Sequence, residues 1–372
     1  MYNLKISSSD LKSFWETQNW VFEINNVVED SFQVEVLFYK PCDILSLKSK
    51  GHNDFSSKVE QLSVDRESLF KSRKDLIQEC PICSSSNSDH ILTVYHANYR
   101  SCLDCSHKYV SNRLTQIELE NYYRNSLEYQ STYSNYELAL KRVNEIQVSK
   151  LEYIIEQYRR NFGRYPRKIL DIGAGSGHFG QACKLKSIDY VGVELSRSGI
   201  DFAKSVFNIE LIDIDVINNH KHVIDENFDI ITFWGLLEHV PDPELMLEVG
   251  KKILINNSHG MITGSVPRFN SISSIFQILF PEQIIRHLDP LGHIQMFTDT
   301  SLVTLLNKCD IDLKSVWYFG MDAYELFLNL SNKTKTDILI NPSHIALLQQ
   351  FIDQNKLSDS LIFTTTTHND KR

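Results

Sequence analysis

No stretch of this 372-residue chain approaches the roughly 18 consecutive apolar residues that a membrane span requires. Its first twenty residues, MYNLKISSSDLKSFWETQNW, lack the charged and then apolar layout of a signal peptide, so a cytoplasmic location is the expectation. Basic residues are in the minority, 38 Lys and Arg against 47 Asp and Glu, for a net charge of -9. That balance gives no overall electrostatic reason to seek a phosphate backbone. Cysteine is scarce, with seven in all, and in a reducing compartment so few exclude a disulfide framework. Internal repeats and low-complexity tracts are missing too, which excludes a solenoid.

What is present fits a folded chain of two domains, or of one large domain with an appended module. Residues 1–78 read as a strand-rich segment, with "WVFEIN" and "FQVEVLFY" as strands and a helix over 65–78. Residues 79–112 hold four of the cysteines, whereas Cys42, Cys183 and Cys309 are scattered and read as buried or inert. Residues 113–165 form a tyrosine-rich helical connector, interrupted by polar Ser and Asn near 125–135. From 166 to 372 short apolar runs alternate with helical patterns: "KILDIG", "YVGVEL", "IELID", "FDIITFWG" and "GMITGSVP". Such alternation predicts parallel strands joined by crossover helices. Two further strands, "LKSVWYFG" and "DSLIFTTTT", flank a helical insertion near 321–356.

"ILDIGAGSGHFG" places Asp171, Gly173, Gly175 and Gly177 where a first strand turns into a helix. A nicotinamide site wants G-x-G-x-x-G, whose last glycine would fall on His178; the spacing here is G-x-G-x-G. A carboxylate leading into the loop repels a pyrophosphate but favours the ammonium and sulfonium of S-adenosylmethionine. Glu194, at the end of the second strand, can accept both hydroxyls of a ribose, a demand that NAD and S-adenosylmethionine share.

With these motifs the chain resembles the class I S-adenosylmethionine-dependent methyltransferases over roughly residues 168–320. "FDIITFWGLLEHVPDP" looks like that family's fourth-strand motif, and "GMITGSVPRFNS" like its fifth strand. The resemblance implies a Rossmann-like α/β fold with a seven-stranded sheet that ends in an antiparallel strand pair. It puts Asp171, Gly173, Gly175 and Gly177 around the methionine end of the cofactor and Glu194 on its ribose. Leu195 falls near the adenine, Asp215 and Val216 on the third-strand position against that ring, and Trp234 on the pocket wall. Asp213 is the alternative to Asp215, displaced by two. Glu238 and His239 suit an acid/base pair or a structural hydrogen-bonding pair, and the structural role is favoured.

The sulfonium is a good leaving group, so positioning of the acceptor supplies much of the catalysis. A sugar hydroxyl or an enolisable carbon needs a base as well. "RHLDPLGHIQMFTDTSL" offers His293 as first choice and His287 as second, on a loop that would cross the strand ends. Tyr122, Tyr123, Tyr129, Tyr133 and Tyr136 form a candidate lid, of which one or two would reach the pocket.

Cys80, Cys83, Cys102 and Cys105 form two C-x-x-C pairs separated by 18 residues, a spacing that points to structural Zn2+ on four thiolates. Ser84 and Ser106 stand where such turns usually carry glycine. Glu79, Asp89 and Asp104 oppose Arg100 and Lys108, so the module lacks the basic character of a nucleic-acid reader. Ribbon, connector and core together resemble zinc-containing sugar C-methyltransferases and related polysaccharide-cluster enzymes. That implies a sugar or nucleotide-linked sugar in glycan biosynthesis as acceptor. RNA base methylation guided by the zinc module and a non-catalytic scaffold are the alternatives.

Overall fold

The computed structural model describes every residue except 1, 7–14, 40–43, 48–51, 75, 126–135, 220–226, 256, 284–285, 337, 339–340 and 368–372. Its strands are β1 (Tyr2–Ile6), β2 (Trp15–Ile24), β3 (Val27–Phe38), β4 (Ser88–Val94), β5 (Ala97–Cys102), β6 (Lys108–Val110), β7 (Lys168–Ile172), β8 (Asp189–Val193), β9 (Ile230–Trp234), β10 (Met261–Pro267), β11 (Gln295–Met296), β12 (Ile311–Phe319) and β13 (Ser360–Thr367). Nine of them form one sheet in the order β1-β2-β3-β12-β13-β10-β9-β7-β8.

The half β10-β9-β7-β8 is parallel. Its strands read as near-continuous apolar runs because helices cover both faces: Ile230, Ile231, Phe233, Met261 and Ile262 are all buried. The expected terminal pair follows, with β13 antiparallel to both β10 and β12. The helical insertion between β12 and β13 consists of Asp322–Thr334 and Pro342–Gln354. Together these elements give the Rossmann-like α/β methyltransferase fold.

The nine strands of this sheet exceed the seven expected, and other features depart from the sequence reading too. The strand expected at "IELID" is reduced to an isolated bridge, Val193↔Ile212. Asp215 ends the extended run by accepting from the Ile217 amide at 2.9 Å, which opens the short helix Val216–Asn219. The N-terminal segment, in turn, is continuous with the catalytic sheet, because β3 pairs in parallel with β12. Alternation in β3 buries Val34, Val36 and Phe38, and Phe38 stacks on Tyr318 with ring centroids 5.7 Å apart.

The helix expected over 65–78 lies earlier, at His52–Phe70. Arg73 ends it by donating to the Leu69 carbonyl at 3.2 Å. In the connector, helices Gln116–Asn125 and Tyr136–Arg142 are followed by a π-helical turn, Val143–Gln147, and by helix Val148–Phe162. Tyr129 and Tyr133 lie outside the described residues. The second sheet, β11-β6-β5-β4, unites the cysteine module with a strand from the loop after β10.

Candidate active site

The turn from β7 into helix His178–Leu185 carries Gly173, Gly175 and Gly177 at φ 75, 56 and 73, a backbone region that side chains with a Cβ avoid. Above it, at the carboxyl ends of the parallel strands, opens a cavity of about 590 Å3. Its wall includes Asp171, Gly173, Gly175, Glu194, Leu195, Asp215, Val216 and Trp234, the residues expected from sequence. Gly177 is the exception. It does not line the cavity, and a Cβ there would stand 2.7 Å from the Ala203 Cβ, so it serves close packing. Asp213 lies off the wall as well and pairs with Arg124 at 3.1 Å, whereas Asp215 is on it.

The carboxylates act through fixed partners. Asp171 accepts from Thr232 Oγ1 at 2.6 Å and from the Tyr190 hydroxyl at 2.9 Å, and burial raises its pKa to about 6. Glu194 Oε2 accepts from the Gly175 amide at 2.6 Å, and Oε1 from the Leu195 and Ser196 amides at 2.8 and 2.7 Å. These bonds tie the end of β8 to the glycine loop, while burial raises the Glu194 pKa. Lys150 reaches in from the helical connector and lies 4.7 Å above the Trp234 ring; burial lowers its pKa to about 8. Among the buried atoms of the wall without a hydrogen-bond partner are Gln147 Oε1, Trp234 Nε1 and Glu238 Oε2. Unpaired polar atoms of this kind are costly unless a ligand meets them.

Opposite the glycine loop, Glu238, His239 and His293 converge, with one ligating atom of each within 4.8 Å of the others. His239 Nδ1 lies 2.5 Å from the Gly292 carbonyl, and His293 Nδ1 lies 2.8 Å from the His287 carbonyl. A carbonyl only accepts, so both Nδ1 atoms carry protons and both Nε2 atoms keep lone pairs. His239 Nε2 faces Glu238 Oε1 at 3.8 Å. The Tyr123 hydroxyl closes this side, 2.9 Å from His239 Nδ1. Burial raises the Glu238 pKa to about 8, lowers that of His239 to about 4 and holds that of His293 well below the usual imidazole value.

Residues 147–316 match the family model described as "Methyltransferase domain". The chain carries an S-adenosylmethionine-dependent methyltransferase domain. Among curated relatives, the ubiquinone biosynthesis O-methyltransferase of Aliivibrio fischeri (strain MJ11) is 24% identical over 184 residues, 47% of this chain and 76% of the relative. Its counterpart in Actinobacillus pleuropneumoniae serotype 7 is 24% identical over 208 residues, 54% and 85% of the two chains. Among solved structures, a plantazolicin methyltransferase in complex with SAH aligns at 18% identity and TM-score 0.43, covering 67% of this chain and 94% of that one.

Two histidines of this methyltransferase part company. His293 lines the cavity, but His287 does not: it is fully buried, and its Nε2 lies 2.9 Å from the Arg268 carbonyl and 3.3 Å from Ser271 Oγ. His287 therefore positions the loop, as its carbonyl's bond to His293 also indicates, and its reading as an alternative base is corrected. Glu238 and His239, read from sequence as a structural pair, stand in the cavity wall. Lys150 and Gln147 escaped notice because a π-helical turn, which no residue pattern announces, aims them inward.

The four cysteine sulfurs also converge within 4.8 Å, with Cys80–Cys105 at 3.6 Å and Cys83–Cys102 at 3.4 Å. A tetrahedral zinc with bonds of about 2.3 Å has sulfur–sulfur edges of about 3.8 Å, so the donor set fits. Ser84 and Ser106 adopt φ 60 and 61 and supply the turns expected of glycine. The module grips the loop that carries His293. His107 reaches Gln295 Oε1 at 3.0 Å and Ser301 Oγ at 3.3 Å, the Val110 amide donates to the Ile294 carbonyl at 3.0 Å, and the Tyr99 hydroxyl donates to the Leu288 carbonyl at 3.0 Å. Arg66 adds a bidentate pair to Asp289, with both contacts at 2.9 Å. Among the described residues no helix is long and apolar enough to cross a membrane.

Proposed function

We propose that this methyltransferase moves the methyl group of S-adenosylmethionine onto a hydroxylated small molecule bound between the glycine loop and the Glu238, His239 and His293 cluster. The observation that carries the reading is the two-sided cavity. One side has the glycine turn, Glu194 and Asp215 for a nucleoside; the other has two imidazole lone pairs and a buried carboxyl. In this reading Glu194 and Asp215 take the ribose and adenine ends, Leu195 and Val216 flank the base, and Gln147 and Lys150 take the methionine end beside Asp171. His293 is the first candidate to receive the acceptor's proton. A sugar or nucleotide-linked sugar in glycan biosynthesis is the leading acceptor class, supported by the phenol, imidazole and guanidinium groups of Tyr123, His239, His293 and Arg286 on the wall. A phenolic hydroxyl is the second reading, favoured by the relatives named as ubiquinone biosynthesis O-methyltransferases.

The cysteine module is inferred to hold a structural zinc ion and to act as a cap that fixes the acceptor loop, a role supported by its bonds to residues 288–301. Without net basic charge it offers little to RNA, and a scaffold would have no use for the unpaired donors and acceptors in the cavity. Calorimetry with S-adenosylhomocysteine tests the pocket, and mass spectrometry of the chain incubated with S-adenosylmethionine and separate sugar and phenol panels tests the acceptor. Absence of S-adenosylhomocysteine binding by folded protein would overturn the reading, and a methylated product identifies the class.

A further inference from the structure

One part of the cavity wall is built by the helical insertion between β12 and β13. Arg286 and Met321 stand in that part, and both are held by carboxylates at the ends of the insertion. Arg286 Nε donates to Glu325 Oε1 at 2.6 Å on helix Asp322–Thr334, and Nη2 pairs with Asp359 Oδ2 just before β13. Asp359 Oδ1 in turn accepts from the Met321 amide at 3.3 Å, so one carboxylate fixes both wall residues. The Arg286 backbone is tethered as well. Its carbonyl accepts from the Asp289 amide at 3.2 Å, and the adjoining His287 is fully buried against the Arg268 carbonyl.

Two of the three guanidinium nitrogens are thereby committed. Among the described residues Nη1 has no partner, and the side chain stays 36% exposed, against 13% for Glu325 and 1% for Asp359. One guanidinium against two carboxylates leaves this corner net negative. After burial and the neighbouring imidazoles, the Arg286 charge is a further cause of the low His293 pKa, which sets Arg286 close to the proposed base. A free N–H edge in a net negative setting donates a hydrogen bond but does not attract an anion.

We propose that Arg286 is a specificity-determining residue of the acceptor side: Nη1 donates to an uncharged oxygen beside the hydroxyl to be methylated, while Glu325 and Asp359 bar an anionic group from that place. The proposal rests on the acceptor side assigned above and narrows its occupant. A hydroxyl, an ether or an amide carbonyl fits at Arg286, whereas a carboxylate or a phosphate does not. A nucleotide-linked sugar then enters with its phosphates directed away from this corner. The helical insertion acquires a role too, as the element that aims the donor and supplies half of the repulsion. A donor for the right group joined to repulsion of the wrong one separates molecules of a single shape.

The test compares molecules of one shape and different charge. Salicylamide and salicylate form a phenol pair, glucuronamide and glucuronate a sugar pair, and each is titrated by calorimetry into the full chain saturated with S-adenosylhomocysteine. In at least one pair the amide should bind at least about tenfold more tightly than the carboxylate. Arg286→Lys keeps the charge but not the planar fork, and should weaken amide binding by at least about tenfold. Glu325→Gln keeps the shape but removes one negative charge, and should reduce the preference for amide over carboxylate by at least about fivefold. A merely structural ion pair predicts no such change in preference. Equal or tighter binding of the carboxylates by the unaltered chain, unchanged amide affinity in Arg286→Lys, an unchanged preference in Glu325→Gln, or no binding of any of the four compounds would overturn the proposal. S-adenosylhomocysteine affinity, measured first on each sample, separates these outcomes from failure of the reading beneath them. Where it is retained, compounds bound without discrimination remove the role of Arg286 alone, and compounds not bound remove the acceptor side with it; its absence in the unaltered chain removes the cofactor pocket itself.

Discussion

Replacing Gly177 and Gly175 separately with alanine should separate packing from binding within one five-residue turn. At position 177 the new Cβ meets the Ala203 Cβ at 2.7 Å, and the backbone sits at φ 73. The left-handed conformation costs about 1–2 kcal/mol for a residue with a Cβ. Forcing a methyl into a packed contact adds about 1–3 kcal/mol. With about 2–4 °C lost per kcal/mol in a domain of this size, Gly177→Ala should lower the melting temperature by about 4–20 °C. It should leave the affinity for S-adenosylhomocysteine within about threefold at a temperature where the variant is folded, a difference of less than about 0.7 kcal/mol. At Gly175, φ is 56 and no atom lies within 4 Å of the added Cβ, which instead enters the cavity. Gly175→Ala should therefore lose only about 2–8 °C but at least about tenfold in affinity, a change of about 1.4 kcal/mol. Differential scanning fluorimetry and calorimetry on the same preparations read both quantities. Equal melting of the two variants, or loss of binding by Gly177→Ala alone, would refute the division of labour.

The pH dependence of cofactor binding provides a second check. Asp171 has its pKa raised from 3.8 to about 6 by burial, so in the free protein its ionised form is held at a cost above that pH and its contribution to stability falls as pH rises from about 4 to 6. The ammonium of S-adenosylhomocysteine favours the ionised form, so affinity should rise between pH 5 and 7; a flat profile in the unaltered chain, or an unchanged slope in Asp171→Asn, would contradict this. Cys80→Ser combined with Cys83→Ser should abolish stoichiometric zinc, measured by atomic absorption, and lower both melting temperature and acceptor turnover; unchanged zinc and melting would rule out the staple. His293→Asn should remove turnover without altering S-adenosylhomocysteine binding. His287→Asn should lower the melting temperature and reduce turnover only partly, and a complete loss with normal melting would restore His287 as a reacting group.

The parts of the site that were legible are those in which spacing alone carries the chemistry. Asp171 with its glycines, Glu194 at the end of the second strand and the four cysteines each form a local pattern: Asp171, Gly173, Gly175 and Glu194 line one cavity and the cysteine sulfurs converge, while Gly177 packs against Ala203 instead. Distinguishing His293 from His287 was beyond sequence, because six residues along one loop decide between a cavity wall and a buried bond to Arg268. Glu238 and His239 were visible, but that they meet His293 in one cavity wall was not, since it arrives from a different loop. The shortened third strand was overestimated because "IELID" has the composition of a strand, while the Asp215 cap that ends it is a competing side-chain bond. The pairing of β3 with β12 left no local trace, as nothing in "FQVEVLFY" identifies its partner.

That last pairing sets a timing problem for biosynthesis. β3 ends at Phe38 and β12 begins at Ile311, so roughly 270 residues separate the two edges that join. At a synthesis rate of about 5–20 residues per second, the first edge waits for about 15–55 s before its partner exists. During that interval the β1-β2-β3 meander presents an unmatched ladder of amide and carbonyl groups, able to pair with the same segment of another nascent chain. Rows of acidic and polar side chains on that meander, Glu29, Asp30, Gln33 and Glu35 among them, discourage such encounters until β12 arrives. Completion of the large sheet thus waits on β12, which is made long after the edge of β3 that it covers.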